Sequence, residues 1–171
     1  RALGRCGGTF DDVADSIRWA AGVPVAGTPT NPNPAKVLNL SLGGTAPCSA
    51  NMQSAVDAAI ARGAVVVVSA GNEAGLASTS APANCNGVVS VAASNLLGDL
   101  SSYSNFGSSV TLTAPGGDSG DLPGVISTLN GGVTLPGAPS YATYAGTSMA
   151  APHVAGVVAL MLARDPSLTP G

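Results

Sequence analysis

Charge is scarce in this sequence. Lys, Arg, Asp and Glu together supply 9% of its 171 residues, and the formal net charge is −3. No basic cluster occurs, which argues against a nucleic-acid partner. With 45% hydrophobic residues beside so little charge, there is ample material for a buried core, and a disordered chain is excluded. Long apolar runs are lacking too. The longest, Val154 to Leu162, reaches about half a membrane span, so no membrane partner is expected. Histidine occurs once, at His153, and cysteine three times, at Cys6, Cys48 and Cys85. Their spacing matches no zinc pattern. The chain opens on Arg1 with neither Met nor an apolar leader, so an internal start is expected.

What the sequence does have is an alternation of helical and strand signals, with glycine at the junctions. Asp11 is a candidate N-cap for a helix to about Ala21, stopped by Gly22. The loop Val23 to Pro34 follows, and then a strand, Val37 to Leu42. Ser49 is a candidate N-cap for a helix to Arg62, with Gly63 as its stop; Met52, Ala55, Val56, Ala59 and Ile60 fall at helical spacing. Ala64 to Ser69 is a β-branched run without alternation, as suits a strand buried on both faces. Val88 to Ala92 and Val110 to Thr113 read as further short strands. Val125 to Leu129 and Tyr141 to Ala145 can pair around a Gly/Pro-rich turn. Thr147 to Arg164 is apolar nearly all round, which predicts a centrally buried helix. Together these imply an α/β fold of three layers, with a mainly parallel sheet and helices on both faces. Ligands of such sheets sit beyond the carboxyl ends of strands, which points to the exits at Gly43, Gly71 and Gly146.

Ser148 falls just inside the start of the last helix. Backbone N–H groups are free there and the macrodipole favours negative charge, as an acyl-transfer oxyanion requires. Gly-Thr-Ser alone would fit an ordinary helix cap. The full string Gly146-Thr147-Ser148-Met149-Ala150-Ala151-Pro152-His153-Val154-Ala155-Gly156 goes further: it resembles the active-site serine motif of subtilisin-like serine proteases. Two more segments resemble the family in its order. Ser69-Ala70-Gly71-Asn72-Glu73 looks like the segment with the oxyanion-hole asparagine. Asn39-Leu40-Ser41-Leu42-Gly43-Gly44 looks like the substrate-binding strand and turn. Trp19-Ala20, Val88 to Ala92, Phe106-Gly107 and Ala114-Pro115-Gly116 also sit in the expected order.

The resemblance implies a serine endopeptidase that forms an acyl-enzyme on Ser148, with the Asn72 amide as a donor to the oxyanion. Ser41, Leu42 and Gly43 would pair with the polypeptide substrate as an added strand, and Ala70 and Gly71 would wall the pocket before the scissile bond. No cofactor is expected for the chemistry. Family members often bind structural calcium, for which Asp118 and Asp121 offer oxygens, although a plain acidic surface loop is the simpler reading and no EF-hand signature is present.

The resemblance also implies something missing. The family's triad runs Asp, His, Ser. His153 belongs to the serine motif, and at helical spacing it points about 140° away from Ser148, as a packed, hydrogen-bonded histidine rather than a base. Asp11, Asp12 and Asp15 look like an acidic first turn. The triad Asp and His are therefore expected upstream of Arg1, residues 1–171 being a partial catalytic domain that is inactive alone. The alternatives are a peptide-binding pseudo-protease or a structural fragment; a nucleotide-binding protein lacks support, since no phosphate loop follows a strand. Cys48 and Cys85 flank the Val65 to Ser69 strand and form the natural disulfide, leaving Cys6 for a cysteine outside the chain. Disulfides suit a secreted or periplasmic protein. A monomer is expected.

Overall fold

The computed structural model describes residues 2–4, 7–118 and 123–170; Cys6 and Asp121 lie outside the described residues. The elements are α1 (Phe10–Ala20), β1 (Val37–Leu40), β2 (Gly44–Thr45), α2 (Ala50–Ala61), β3 (Val65–Ser69), β4 (Ser80–Ala81), β5 (Val89–Ser94), β6 (Leu112–Pro115), β7 (Val125–Asn130), β8 (Pro139–Tyr144) and α3 (Thr147–Arg164). Strands β1, β3, β5 and β6 form a four-stranded sheet in the order β1-β3-β5-β6, with every pair parallel. Its pleat sorts side chains by layer. Val66 and Val68 face α1 and α2 with Leu38 and Leu40, whereas Val67 faces α3 with Val91 and Ala93. The expected three-layer α/β architecture is present.

Local chemistry explains the helix ends. Ser49 caps α2, its side chain accepting from the Met52 N–H, and Gly63 follows the last turn at φ +77°. For α1 the expected cap, Asp11, is displaced by Thr9. The Thr9 hydroxyl accepts from Asp12 N at 3.1 Å, while the Asp12 carboxylate accepts from Thr9 N at 3.1 Å and Thr9 Oγ1 at 2.7 Å. This reciprocal box satisfies more donors than a lone Asp11 cap would. The Thr9 side-chain hydrogen bond also holds the Asp12 carboxyl below its usual range. Asp11 instead accepts from Asn51 Nδ2 at 2.6 Å and ties α1 to α2.

The hairpin expectation holds: β7 and β8 pair antiparallel, with Thr128 opposite Tyr141. The burial expected of α3 does not. Only Thr147, Ala150, Ala151 and Ala155 are buried, while Val157, Leu160 and Met161 are 57%, 72% and 52% exposed. The cause is that α3 packs on one sheet face and, among the described residues, no second layer covers its other side. By length and composition alone α3 is apolar enough to cross a membrane. Its first turns nevertheless pack across the sheet against Val67, Val91 and Ala93.

Cys48 and Cys85 form the expected disulfide, with Cα atoms 5.3 Å apart and a sequence separation of 37. Closing a loop of that length restricts the unfolded chain by about 3–4 kcal/mol. Replacing both cysteines by serine in the whole protein should lower unfolding stability by that amount. Denaturant titration checks it, and an unchanged midpoint would count against the bond.

Candidate active site

The carboxyl ends of β1 and β3 and the start of α3 meet at one place. Thr147, fully buried, is the joint between them. Its N–H donates to Asn72 Oδ1 at 2.9 Å and its hydroxyl donates to the same oxygen at 2.8 Å. The hydroxyl oxygen also accepts from Gly71 N at 3.3 Å. Two donors on one side of the Asn72 amide fix its orientation, with Oδ1 toward Thr147.

The first N–H groups of α3 are disposed unequally. Thr147 N is taken by Asn72, and Met149 N and Ala150 N donate to Gly146 O. Among the described residues, Ser148 N has no acceptor, and neither has Asn72 Nδ2. Both border the same small volume. A methyl group built on Gly146 would lie 3.6 Å from Ser148 N and 3.7 Å from Asn72 Nδ2. Two donors without acceptors thus lie near the first turn of α3, where free N–H groups and the macrodipole favour negative charge. Gly146 is therefore not held by a backbone clash, contrary to the close approach its type suggests. That constraint falls on Gly116, where a Cβ would meet Gly146 O at 2.8 Å. Gly116 O accepts from Gly146 N at 3.0 Å, and Tyr103 Oη donates to Gly116 O and Gly117 O at 3.0 and 2.7 Å. Desolvation raises the Tyr103 phenol above its usual value, which keeps it a donor.

Ser148 itself is half-buried and lightly held, its Oγ standing 3.5 Å from Ser41 O. Ser41 Oγ donates to Ser148 O at 2.7 Å and receives Asn39 Nδ2 at 3.0 Å, which docks the β1 exit onto α3. Leu42, Gly43, Ser69, Gly71, Asn72 and Ser148 help line a cavity of about 200 Å³ beside the hydroxyl. Gly43 is fixed by a neighbour: a Cβ there would lie 2.9 Å from Ala81 O. Ala70 is fully buried, its N–H donating to Val91 O and its carbonyl accepting from Asn105 Nδ2. A larger groove, of about 640 Å³, runs along α1 past Trp19 and Pro29.

Gly71 combines φ +107° with crowding. A Cβ would collide with Asn105 Nδ2 and stand 2.6 Å from Glu73 Oε2. Gly71→Ala should cost about 1–3 kcal/mol in backbone strain, read as a lowered melting temperature. An alanine variant as stable as the parent would show that the loop adapts.

His153 Nδ1 lies 2.7 Å from Met149 O, one turn back along α3. The ring is hydrogen-bonded as expected, but it is exposed rather than packed. Asp118 accepts from Ser102 N and Oγ. Asp121 lies outside the described residues, and among those described no group of three or more His, Cys, Asp or Glu gathers.

Sequence reasoning gave no separate role to Thr147 and missed Asn105. For Thr147 a signal existed, since it sits between Gly146 and Ser148 in the motif. For Asn105 there was none.

The structure thus places a serine at a helix start on a parallel α/β sheet, with Asn72 from the β3 exit beside the same helix. The chain belongs to the subtilase family, whose model matches residues 1–171. It is 53% identical over 171 residues to an extracellular protease of Xanthomonas campestris pv. campestris, covering 99% of this chain and 28% of that protein. It is 44% identical over 168 residues to an extracellular basic protease of Dichelobacter nodosus, covering 98% and 27%. Among solved structures, one of proteases from Pseudoalteromonas arctica superposes with a TM-score of 0.95 at 48% identity, covering 99% of this chain and 51% of that one. A cold-adapted subtilisin-like serine proteinase gives 0.75 at 35% identity, covering 99% and 54%. The chain thus spans about half the length of the solved relatives and under a third of these curated ones.

Proposed function

We propose that the protein carrying this chain is a secreted serine endopeptidase that cleaves polypeptides through an acyl-enzyme on Ser148. The observation that supports this most is that Ser148 and Asn72 line one cavity at the start of α3, with neither Ser148 N nor Asn72 Nδ2 paired among the described residues. Ser148 Oγ attacks the scissile carbonyl carbon while its proton passes to a general base. The carbonyl oxygen, now negative, takes hydrogen bonds from the two donors. Collapse of the tetrahedral intermediate expels the amine, protonated by the same base, and leaves an ester on Ser148. Water then repeats the sequence and releases the acid. The substrate backbone lies along Ser41 to Gly43 as an added strand, with a side chain entering the cavity beside Gly71.

The base and its orienting acid come from residues outside these 171, because His153 is engaged with Met149 O and is the sole histidine. The isolated chain is therefore inactive. The names of two relatives, extracellular protease and extracellular basic protease, favour secretion. The test is to acidify the whole protein during turnover of an activated peptide ester and map the trapped acyl group. Acyl mass on the Ser148 peptide is expected. A folded whole protein that binds peptides but never acylates would be a pseudo-protease.

A further inference from the structure

We propose that Asn105, remote from both the nucleophile and the anion hole in sequence, is the positioning residue for Asn72. This inference rests on the reading of Asn72 as an oxyanion donor. Asn105 is 1% exposed, and its amide brackets the loop that carries Asn72. On the near side, Asn105 N donates to Gly71 O at 3.0 Å and Nδ2 donates to Ala70 O at 3.0 Å. On the far side, Oδ1 accepts from Glu73 N at 3.1 Å and from Gly75 N at 3.0 Å. Nδ2 also meets Glu73 Oε2 at 2.7 Å and Ser80 Oγ at 3.1 Å. Residues 70, 71, 73 and 75 are thus pinned by one side chain and its own backbone, and Asn72 is the residue left protruding between them.

The bracket is itself anchored. Ser104 Oγ accepts from Ala93 N on β5 at 2.9 Å and donates to Asn105 O at 3.0 Å. Ser101 N donates to Ala93 O at 2.9 Å. The Asn72 loop is therefore referenced to the central sheet through Asn105, while Thr147 references it to α3. With both ends set, Nδ2 of Asn72 needs no reorganisation when charge develops, which is the condition under which a donor lowers a barrier. Only an amide serves here. The near side presents acceptors, Ala70 O and Glu73 Oε2, and the far side presents donors, Glu73 N and Gly75 N. A carboxylate offers no donor and a hydroxyl cannot span both.

The test is made in the whole protein with Asn105→Asp and Asn105→Ala, each alone and combined with Asn72→Ala. Asn105→Asp keeps the volume and the two bonds accepted by Oδ1 but turns an oxygen toward Ala70 O and Glu73. A displacement of about 1 Å in a positioned group costs on the order of 10²-fold. The expected result is a kcat per titrated active site lower by about 10–100-fold, with KM within about twofold. In the Asn72→Ala background the same change should cost no more than about twofold, because the group it positions is gone. An equal loss in both backgrounds overturns the proposal. So does a loss confined to the fraction of titratable sites, or failure of both variants to fold, since either assigns Asn105 to the fold alone. Ser148→Ala run beside them separates the two levels. If Ser148→Ala still hydrolyses peptides, the serine-protease reading itself fails; if it is inactive and the Asn105 effects are additive, only this inference does.

Discussion

Ser148→Ala in the whole protein is expected to lower kcat by about 10⁶-fold, the scale measured on losing the nucleophile of subtilisin. The change removes the attacking oxygen and little else. Among the described residues Ser148 Oγ has one hydrogen-bond partner, Ser41 O at 3.5 Å, so folding should be almost untouched. Its backbone N–H is kept, and Ser41 Oγ still donates to the backbone carbonyl at position 148. Melting temperature and substrate affinity should therefore match the parent while turnover disappears. Residual hydrolysis within about tenfold of the parent would place the chemistry elsewhere.

Asn72→Ala is expected to lower kcat by about 10²–10³-fold with KM little changed, as measured when the equivalent donor is removed from subtilisin. The substrate carbonyl draws little on this donor before attack; the oxyanion draws on it fully. Alanine also strips the acceptor from Thr147 N and Thr147 Oγ1, inside a site where Thr147 is fully buried, so some stability should be lost as well. Asn72→Asp separates the two effects. It keeps the oxygen that Thr147 uses, restoring stability, yet removes the donor and opposes the negative charge. Its kcat should fall at least as far as that of the alanine variant. Recovery of kcat in Asn72→Asp would mean that Asn72 acts by bracing Thr147 rather than by donating. Assays at saturating and limiting peptide concentration distinguish a kcat effect from a KM effect.

These variants also mark how far sequence reading reaches. Strand β3 and helix α2 were legible because their signals are local: an unbroken valine run, a serine cap and a glycine stop. The ends of α3 were legible for the same reason. Its burial was not, because burial depends on which layers surround a helix, and one flank of α3 meets no layer among the described residues. The α1 cap was misread by two residues, since both Asp11 and Thr9 can cap. Asp12, three residues after Thr9, closes the reciprocal box and decides between them. At the site, short motifs singled out Ser148 and Asn72, and the structure brings the two segments together through Thr147 and Asn72. Asn105 was not. It meets its loop across 30 to 35 residues of sequence, and a buried asparagine has no periodicity to betray it.

The central claim is that Ser148 is a nucleophile whose activating groups lie outside these 171 residues. A serine-reactive fluorophosphonate tests both halves together. The whole protein should take up one phosphonyl group, mapped by mass spectrometry to the peptide bearing Ser148 and absent from Ser148→Ala. The isolated chain should remain unlabelled under the same conditions. Labelling of the whole protein at another residue, or robust labelling of the isolated chain at Ser148, would contradict the account.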